Sequence, residues 1–280
     1  MAGVLDGIRV VSLAGNLPGP LAAARLAALG ATITKVEPPA GDQLAAAAPG
    51  WYAELIAGQR VEVLDLKTPR DRRRLGDLLA DADILLTSHR PSTLRRLGLE
   101  GLPDAAHPRL SHVEIVGHDG RSEEAPGHDL TFQAAAGTLD PPRMPLVPVA
   151  DLLGAERAVS ACLAAALAVC RTGRAIHQRV VLEDAAADAG AANRQGLTGP
   201  GTPLGGALPT YGIYASADGH VALAAIEPGF RARTLRLLGT ADDHDAIAAA
   251  LAGRSSRQWE ALAAAHDLPL VAVRPSAGSP

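Results

Sequence analysis

Aromatic side chains are nearly missing from this chain, with two Phe, two Trp and three Tyr among 280 residues. A hydrophobic core must therefore be packed with Ala, Leu and Val, and stacking platforms for single-stranded nucleic acid are not expected. No sign of charge dominates: 26 Lys and Arg stand against 30 Asp and Glu, a formal net charge of −4. That leaves no global basic field for DNA or RNA, although local arginine clusters can still meet phosphates. Cysteine is scarce. Cys162 and Cys170 sit in one alanine-rich, helix-like stretch, about 12 Å apart along a helix axis and beyond the roughly 7 Å reach of a disulfide. They read as small apolar residues of a reducing compartment. Met1 to Val10 shows no basic segment followed by an apolar run, so no signal peptide is expected. The longest apolar stretch, around Ala161 to Cys170, is shorter than a membrane span. A cytoplasmic protein with neither nucleic-acid nor membrane partners is the expectation. No Cys/His spacing suggests a metal site, no Gly-x-Ser-x-Gly marks a hydrolase elbow, and neither a Walker loop nor Gly-x-Gly-x-x-Gly occurs.

What is present is enough to fold. Hydrophobic residues make up 48 % and charged residues 20 %, which allows a sizeable core. The first third alternates strand-like and helix-like segments. Ile8 to Ala14, Thr32 to Val36, Val61 to Leu66, Ile84 to Thr87 and Ser111 to Val116 read as strands. Pro20 to Leu29 and Asp71 to Ala80 read as helices, and the Arg72-Arg73-Arg74 run reads as a solvated helix face. A Pro/Gly-rich irregular region spans Gly117 to Ala150, and loops of that length are more often functional than filler. A helix from about Leu152 to Cys170 follows, then a strand at Val180 to Leu182 and a helix over Asp184 to Ala192. A loop from Gly199 to Pro209 precedes a hairpin (Tyr211 to Ala215, His220 to Ala225, turning at Asp218-Gly219) and a helix from Phe230 to Leu238. This order predicts an α/β fold: a largely parallel, helix-covered, Rossmann-like sheet over residues 1–195 and a smaller α+β domain over 196–280.

Several segments, in order, resemble the family III CoA-transferases (the CaiB/BaiF group). They are Asp6-Gly7-Ile8-Arg9-Val10-Val11, Gly19-Pro20-Leu21-Ala22, Lys35-Val36-Glu37-Pro38-Pro39 and Leu64-Asp65-Leu66-Lys67. Arg90-Pro91 with Leu97-Gly98-Leu99, and His107-Pro108-Arg109-Leu110, continue the series. Pro126-Gly127-His128-Asp129-Leu130, Gly205-Gly206-Ala207-Leu208-Pro209 and Ala225-Ile226-Glu227-Pro228-Gly229-Phe230 resemble the α-methylacyl-CoA racemase branch. The resemblance implies an acyl-CoA substrate, coenzyme A as part of that substrate with no tightly bound cofactor, and an interlocked homodimer. It places catalytic roles on His128 and Asp151, a supporting role on Glu227, and CoA contacts on Arg60 and Arg90. The chain departs from the pattern at Ile56-Ala57-Gly58-Gln59-Arg60, where two cations of the family's phosphate-binding run are missing. It also stops near Val273-Arg274-Pro275, where relatives return to the first domain, so a less entwined dimer is expected.

Each residue has a plainer reading. Asp151 precedes a helix, where a carboxylate serves as an N-cap; the helix dipole then favours its ionised form. A loop histidine such as His128 is ordinarily solvated, and Asp129 beside it reads as a cap for the following turn. Glu227, Arg60 and Arg90 are unremarkable as surface charges. Three functions follow. The first is epimerisation at the α-carbon of a 2-methylacyl-CoA, with His128 (backed by Glu227) and Asp151 as opposed acid–base groups and N–H groups of the Leu152 helix holding the enolate oxygen. The second is CoA transfer with Asp151 as nucleophile. The third is a catalytically silent CoA- or partner-binding protein.

Overall fold

The computed structural model describes residues 3–104 and 107–275. The chain divides into two compact units, Met1–Gly190 and Ala191–Pro280.

The first unit carries five strands alternating with helices before the long loop region: β1 (Arg9–Ser12), α1 (Pro18–Ala28), β2 (Thr32–Glu37), α2 (Gln43–Ala47), α3 (Pro49–Leu55), β3 (Arg60–Val63), α4 (Pro69–Ala80), β4 (Ile84–Thr87), α5 (Pro91–Leu97) and β5 (Ser111–Val116). It closes with α6 (Asp129–Ala136), α7 (Val149–Thr172), β6 (His177–Val181) and α8 (Leu182–Ala189). The strands form one six-stranded sheet in the order β3-β2-β1-β4-β5-β6, and each of its pairings is parallel. Because helices lie on both faces, β4 is an apolar, wholly buried run and β5 is buried along its length although it carries Ser111, His112 and Glu114. Val10, Ile84, Leu86, Val113 and Ile115 point into a core with Leu21 and Leu26 of α1, Ala158 and Cys162 of α7, and Leu182 of α8. Val11, Leu85 and Val36 point the other way, onto Leu75 and Leu79 of α4 and Leu94 of α5.

The expected β/α alternation and largely parallel sheet are present, with shifted ends. Proline sets several helix starts, at Pro18, Pro49, Pro69 and Pro91, because its missing N–H falls where helices have spare donors. Within the stretch expected to be irregular, α6 forms two turns, begun at His128 and stopped by left-handed Gly137. The apolar helix is longer than its sequence run implied: α7 has 24 residues and is long and apolar enough, by length and composition, to cross a membrane. Here its small-residue face, Ala150, Gly154, Ala158, Cys162 and Ala165, is buried, the packing of a core helix against a sheet. The Arg72–Arg74 run is only partly a solvated face. Arg74 is clasped by Glu62 through two hydrogen bonds of 2.9 and 2.7 Å, and Arg72 Nε donates to Leu66 O at 2.7 Å.

The second unit holds α9 (Ala191–Arg194), the hairpin β7 (Tyr211–Ser216) and β8 (Gly219–Ala224), α10 (Pro228–Leu238), α11 (His244–Leu251), α12 (Ser256–Ala265) and β9 (Leu270–Ala272). Its antiparallel sheet has the order β7-β8-β9. Val221, Leu223, Ile247, Leu251 and Trp259 form the core, and Trp259 Nε1 donates to Leu251 O at 2.7 Å. In the preceding loop Gly205 lies so close to the Gly199 carbonyl that a Cβ would overlap it. α11, α12 and β9 lie beyond the elements expected from sequence, since alanine-rich segments such as Ile247 to Leu251 carry little periodic signal.

The turn from β1 into α1 depends on one close approach. A Cβ on Gly19 would stand 2.5 Å from Ala14 Cβ and 2.6 Å from the Ala14 carbonyl carbon. That second neighbour is main chain and cannot rotate away. Gly19→Ala is therefore expected to lower stability by roughly 1–3 kcal/mol, the usual cost of overpacking, despite the better helix propensity of alanine. Urea unfolding measures it; an unchanged midpoint would show that α1 can slide off the strand.

Candidate active site

Strand order reverses between β1 and β4, and open α/β sheets form a crevice at that place, outside the carboxyl ends of the strands. Two cavities lie there. The smaller, about 220 Å³, is lined by Gly15 and Asn16 after β1, Ser88, His89 and Arg90 after β4, Gly117 after β5, and by Gly127, His128 and Asp151. The larger, about 810 Å³, is lined by Leu13, Pro38, Pro39, Leu64 and Leu66 with the cations Lys67, Arg72 and Arg96. His89 lines both.

The crevice is held by buried polar contacts. Lys35, 1 % exposed, donates from Nζ to Ala14 O at 3.0 Å and to Asp42 Oδ2 at 2.8 Å. Asp42 Oδ1 accepts from Asn16 N at 3.2 Å, and Asn16 takes the left-handed conformation at φ 61°. Gly15 N donates to Ser88 Oγ at 2.9 Å, joining the loops after β1 and β4.

His128 and Asp151 reach the small cavity from two helices tied by one side chain. His128 is the exposed N-cap residue of α6, where its backbone N–H donates to Thr131 Oγ1 at 3.0 Å. Asp151 is in the first turn of α7, whose N-cap is Pro148. Asp129 lies between them. Its Oδ1 accepts from Ala150 N at 2.8 Å and Asp151 N at 3.2 Å, while Oδ2 accepts from Gln133 Nε2 at 2.6 Å. Gln133 Nε2 also donates to Val147 O at 3.0 Å, fixing the approach to α7.

Three expectations are corrected by this arrangement. Asp151 is not the N-cap of its helix, because α7 starts two residues earlier and Asp129 accepts the free N–H groups. Those N–H groups are consequently not available to an enolate oxygen, and Leu152 N is bonded to Pro148 O. Nor does the helix dipole keep Asp151 readily ionised. Burial, and then the Asp129 carboxylate beside it, push its pKa up to about 7 from an ordinary 3.8, since both disfavour a charge there.

Arg90 caps α5 and lines the small cavity with His128 and Asp151. Arg60 begins β3, at the opposite end of that strand from the crevice, and pairs with Glu62 at 2.7 Å. Glu227 is the exposed N-cap residue of α10 and belongs to the second unit. Sequence reading missed His89 and the cations of the large cavity. His89 Nδ1 is buried with no hydrogen-bond partner, and burial, aided by Arg96, holds its pKa below the usual histidine value. Its only sequence signal is its place beside Arg90-Pro91. Lys67, Arg72 and Arg96 come from three segments that only the fold unites.

Residues 5–278 match the family described as CoA-transferase family III. The chain is 32 % identical to a succinate–glutarate CoA-transferase of Agrobacterium fabrum over 266 residues, 84 % of this chain and 66 % of that one. It is 31 % identical to the alpha-methylacyl-CoA racemase of Homo sapiens over 254 residues, 84 % of this chain and 65 % of that protein. The chain thus spans about two-thirds of the length of these curated relatives. A solved structure of a hypothetical protein from Mycobacterium tuberculosis superposes with a TM-score of 0.83 at 25 % identity, over 99 % of this chain and 87 % of that one.

The raised pKa of Asp151 has a consequence for stability. Below its unfolded value of 3.8 the carboxyl is neutral in both states. Between that value and about 7 the unfolded chain ionises first, and above about 7 the folded protein must carry a half-buried charge. Stability from this group is therefore fully present in acid and is lost as pH rises. Asp151→Asn is expected to raise Tm at pH 8, by an amount on the order of a few kcal/mol in free energy. The gain shrinks towards zero below pH 4 in paired thermal melts; a gain independent of pH would contradict the shift.

Proposed function

The chain belongs to CoA-transferase family III, and from that premise we propose that it moves the α-proton of a 2-methylacyl-CoA thioester between two faces, using His128 and Asp151. The observation that carries this reading is that both side chains line one small cavity at the switch point of the sheet. A base on one face takes the α-proton as the C–H electron pair moves into the carbonyl, giving an enolate. The group on the other face returns a proton to carbon, and inversion results. Such a pair works best when each group exchanges protons near the working pH, which suits a carboxyl pushed up to about 7. The Asn16 amide and the Arg90 guanidinium, which line the same cavity, are the donors proposed for the enolate oxygen. For Glu227 the supporting role that the resemblance implies is kept as part of the proposal.

Coenzyme A enters this reading as part of the substrate. The large cavity lies within the usual range of about 300–1,000 Å³ for small-ligand sites, and its apolar walls with Lys67, Arg72 and Arg96 suit the nucleotide end, whose phosphates favour charge-assisted contacts. These cations are proposed for the role that the resemblance implies for Arg60. A homodimer and a cytoplasmic setting complete the proposal.

The similarity to a succinate–glutarate CoA-transferase favours one second reading. There the Asp151 carboxylate attacks the thioester carbonyl and expels the CoA thiolate, leaving an acyl–aspartyl anhydride. The thiolate then attacks the aspartyl carbonyl and releases the first acid, and an acceptor carboxylate takes the CoA in the reverse sequence. His128 has no covalent role in that scheme.

Proton exchange at the α-carbon in deuterated water, with and without an acceptor acid, separates the two. Epimerisation predicts exchange without acceptor, and His128→Ala and Asp151→Asn each abolish inversion by about 10²- to 10⁴-fold while leaving exchange from one enantiomer. Transfer predicts CoA movement only with acceptor, abolished by Asp151→Asn and little changed by His128→Ala. Full activity of His128→Ala on both enantiomers would overturn the epimerase reading. Neither exchange nor transfer by the parent chain would leave a binding protein.

A further inference from the structure

On the sheet face covered elsewhere by α4 and α5, the β5–β6 edge carries a polar cluster that the site above does not use. His112 and Glu114 are two residues apart on β5, so their side chains share one face. Parallel pairing sets His112 opposite His177 and Glu114 opposite Arg179. Glu114 Oε1 lies 2.9 Å from His177 Nε2 and 3.5 Å from His112 Nδ1. One donor atom from each of the three lies within 4.8 Å of the others. We propose that His112, Glu114 and His177 form a binding site for one divalent transition-metal ion, Zn²⁺ by its donor set.

One buried atom points to a ligand. His112 is wholly buried, and its Nδ1 has no hydrogen-bond partner among the described residues, while Glu114, 4 % exposed, turns Oε2 to the Arg179 guanidinium and Oε1 to the two histidines. Buried polar atoms in folded proteins are nearly always satisfied, and an orphan signals an unseen partner. The other nitrogen of His112 is engaged, with Nε2 2.9 Å from Thr87 Oγ1. A proton on Nε2 directed at that hydroxyl leaves the Nδ1 lone pair bare and aimed at the cluster. This is the arrangement that metal-bound imidazoles use: one ring nitrogen ligates while the other is held by a neighbour.

Spacing and donor chemistry agree. Zinc bonds of about 2.0–2.2 Å place tetrahedral donors roughly 3.4 Å apart, close to the observed 2.9 and 3.5 Å. Arg179 donates to Asp119 and Glu123 and holds Nε 3.4 Å from Glu114 Oε2. Asp119 and Glu123 thus occupy the Arg179 guanidinium on its far side, and Glu114 Oε1 is left facing the two imidazoles. Two imidazoles and one carboxylate favour zinc and its neighbours over Mg²⁺ or Ca²⁺, which prefer oxygen alone. His177 is partly exposed and leaves a way in. The absence of a Cys/His spacing in the sequence is no obstacle, because the third ligand lies on a strand that only the parallel pairing brings alongside.

Calorimetric titration of the whole chelator-treated chain with Zn²⁺ tests the site, with Co²⁺ absorption as a second readout and Mg²⁺ as control. One saturable zinc per chain, a raised Tm and a tetrahedral Co²⁺ spectrum are expected. His177→Ala changes an exposed side chain and leaves the fold intact by circular dichroism, yet should weaken zinc by at least about tenfold. Thr87→Val removes only the orienting hydroxyl and should weaken it by about 10- to 100-fold. No saturable uptake by the parent chain, or zinc affinity unchanged in His177→Ala, would overturn the proposal, the latter by placing the ion on another of the nine histidines.

Discussion

The Asp129 carboxylate is the point on which the candidate site turns. It begins the helix that presents His128 and accepts two N–H groups from the first turn of the helix that presents Asp151. A helix N-terminus leaves four donors without intrahelical partners, and α7 has no cap of its own, since Pro148 offers no side-chain acceptor. Satisfying α7 from a neighbouring helix therefore costs no extra residue and fixes the spacing between the two helices. Gln133 reinforces the joint by bridging Asp129 and the Val147 carbonyl. The rest of the molecule supplies the frame: the sheet seats α7 on its apolar face, and the Lys35–Asp42 pair holds the opposite wall of the crevice.

That frame explains why two cavities with different linings meet at one crevice. In a parallel sheet every strand leaves at the same end, so the loops after β1, β2, β3, β4 and β5 crowd together there. The side towards β2 and β3 is mainly apolar, with three cations and the carboxylates Glu37 and Asp65; the side towards β5 is small and polar. His89 lines both, and burial, with Arg96 nearby, holds its pKa below the usual histidine value.

Much of the architecture was legible in the sequence because strand and helix signals were local. Ile84 to Thr87 is a short apolar run and Ser111 to Val116 a short strand-like segment between turn residues, and both strands have those bounds in the structure. The start of α7 was not legible, since Pro148 and Val149 carry no capping signal, whereas its stop at Arg171-Thr172-Gly173 is marked by the glycine. His128, Asp151 and Arg90 could be named from local motifs, and the fold puts all three on one cavity. Long-range contributions could not be read. The cap that Asp129 provides lies 21 and 22 residues along the chain, and the register that pairs His112 with His177 spans 65 residues by their numbers. Asp129 was read as a cap for the next turn, the nearest helix start, because nothing local distinguishes that start from one reached across the fold.

The electrostatics of the site follow from how one acceptor excludes another. Two adjacent carboxylates share the start of α7, and only one can take its donors. Asp129 takes them, and Asp151 is left with burial and the neighbouring Asp129 carboxylate. Pairs of titratable groups whose surroundings push them apart are the usual way one site holds distinct acid and base roles at neutral pH. The cap on α7 and the raised pKa of Asp151 therefore share one cause. The contact that stabilises the helix also leaves Asp151 near 7, where a carboxyl can give up a proton and take it back. Had Asp151 capped its own helix, as its position in sequence suggests, its donors would have drawn the carboxyl towards permanent ionisation and it could serve as a base or nucleophile but not as an acid.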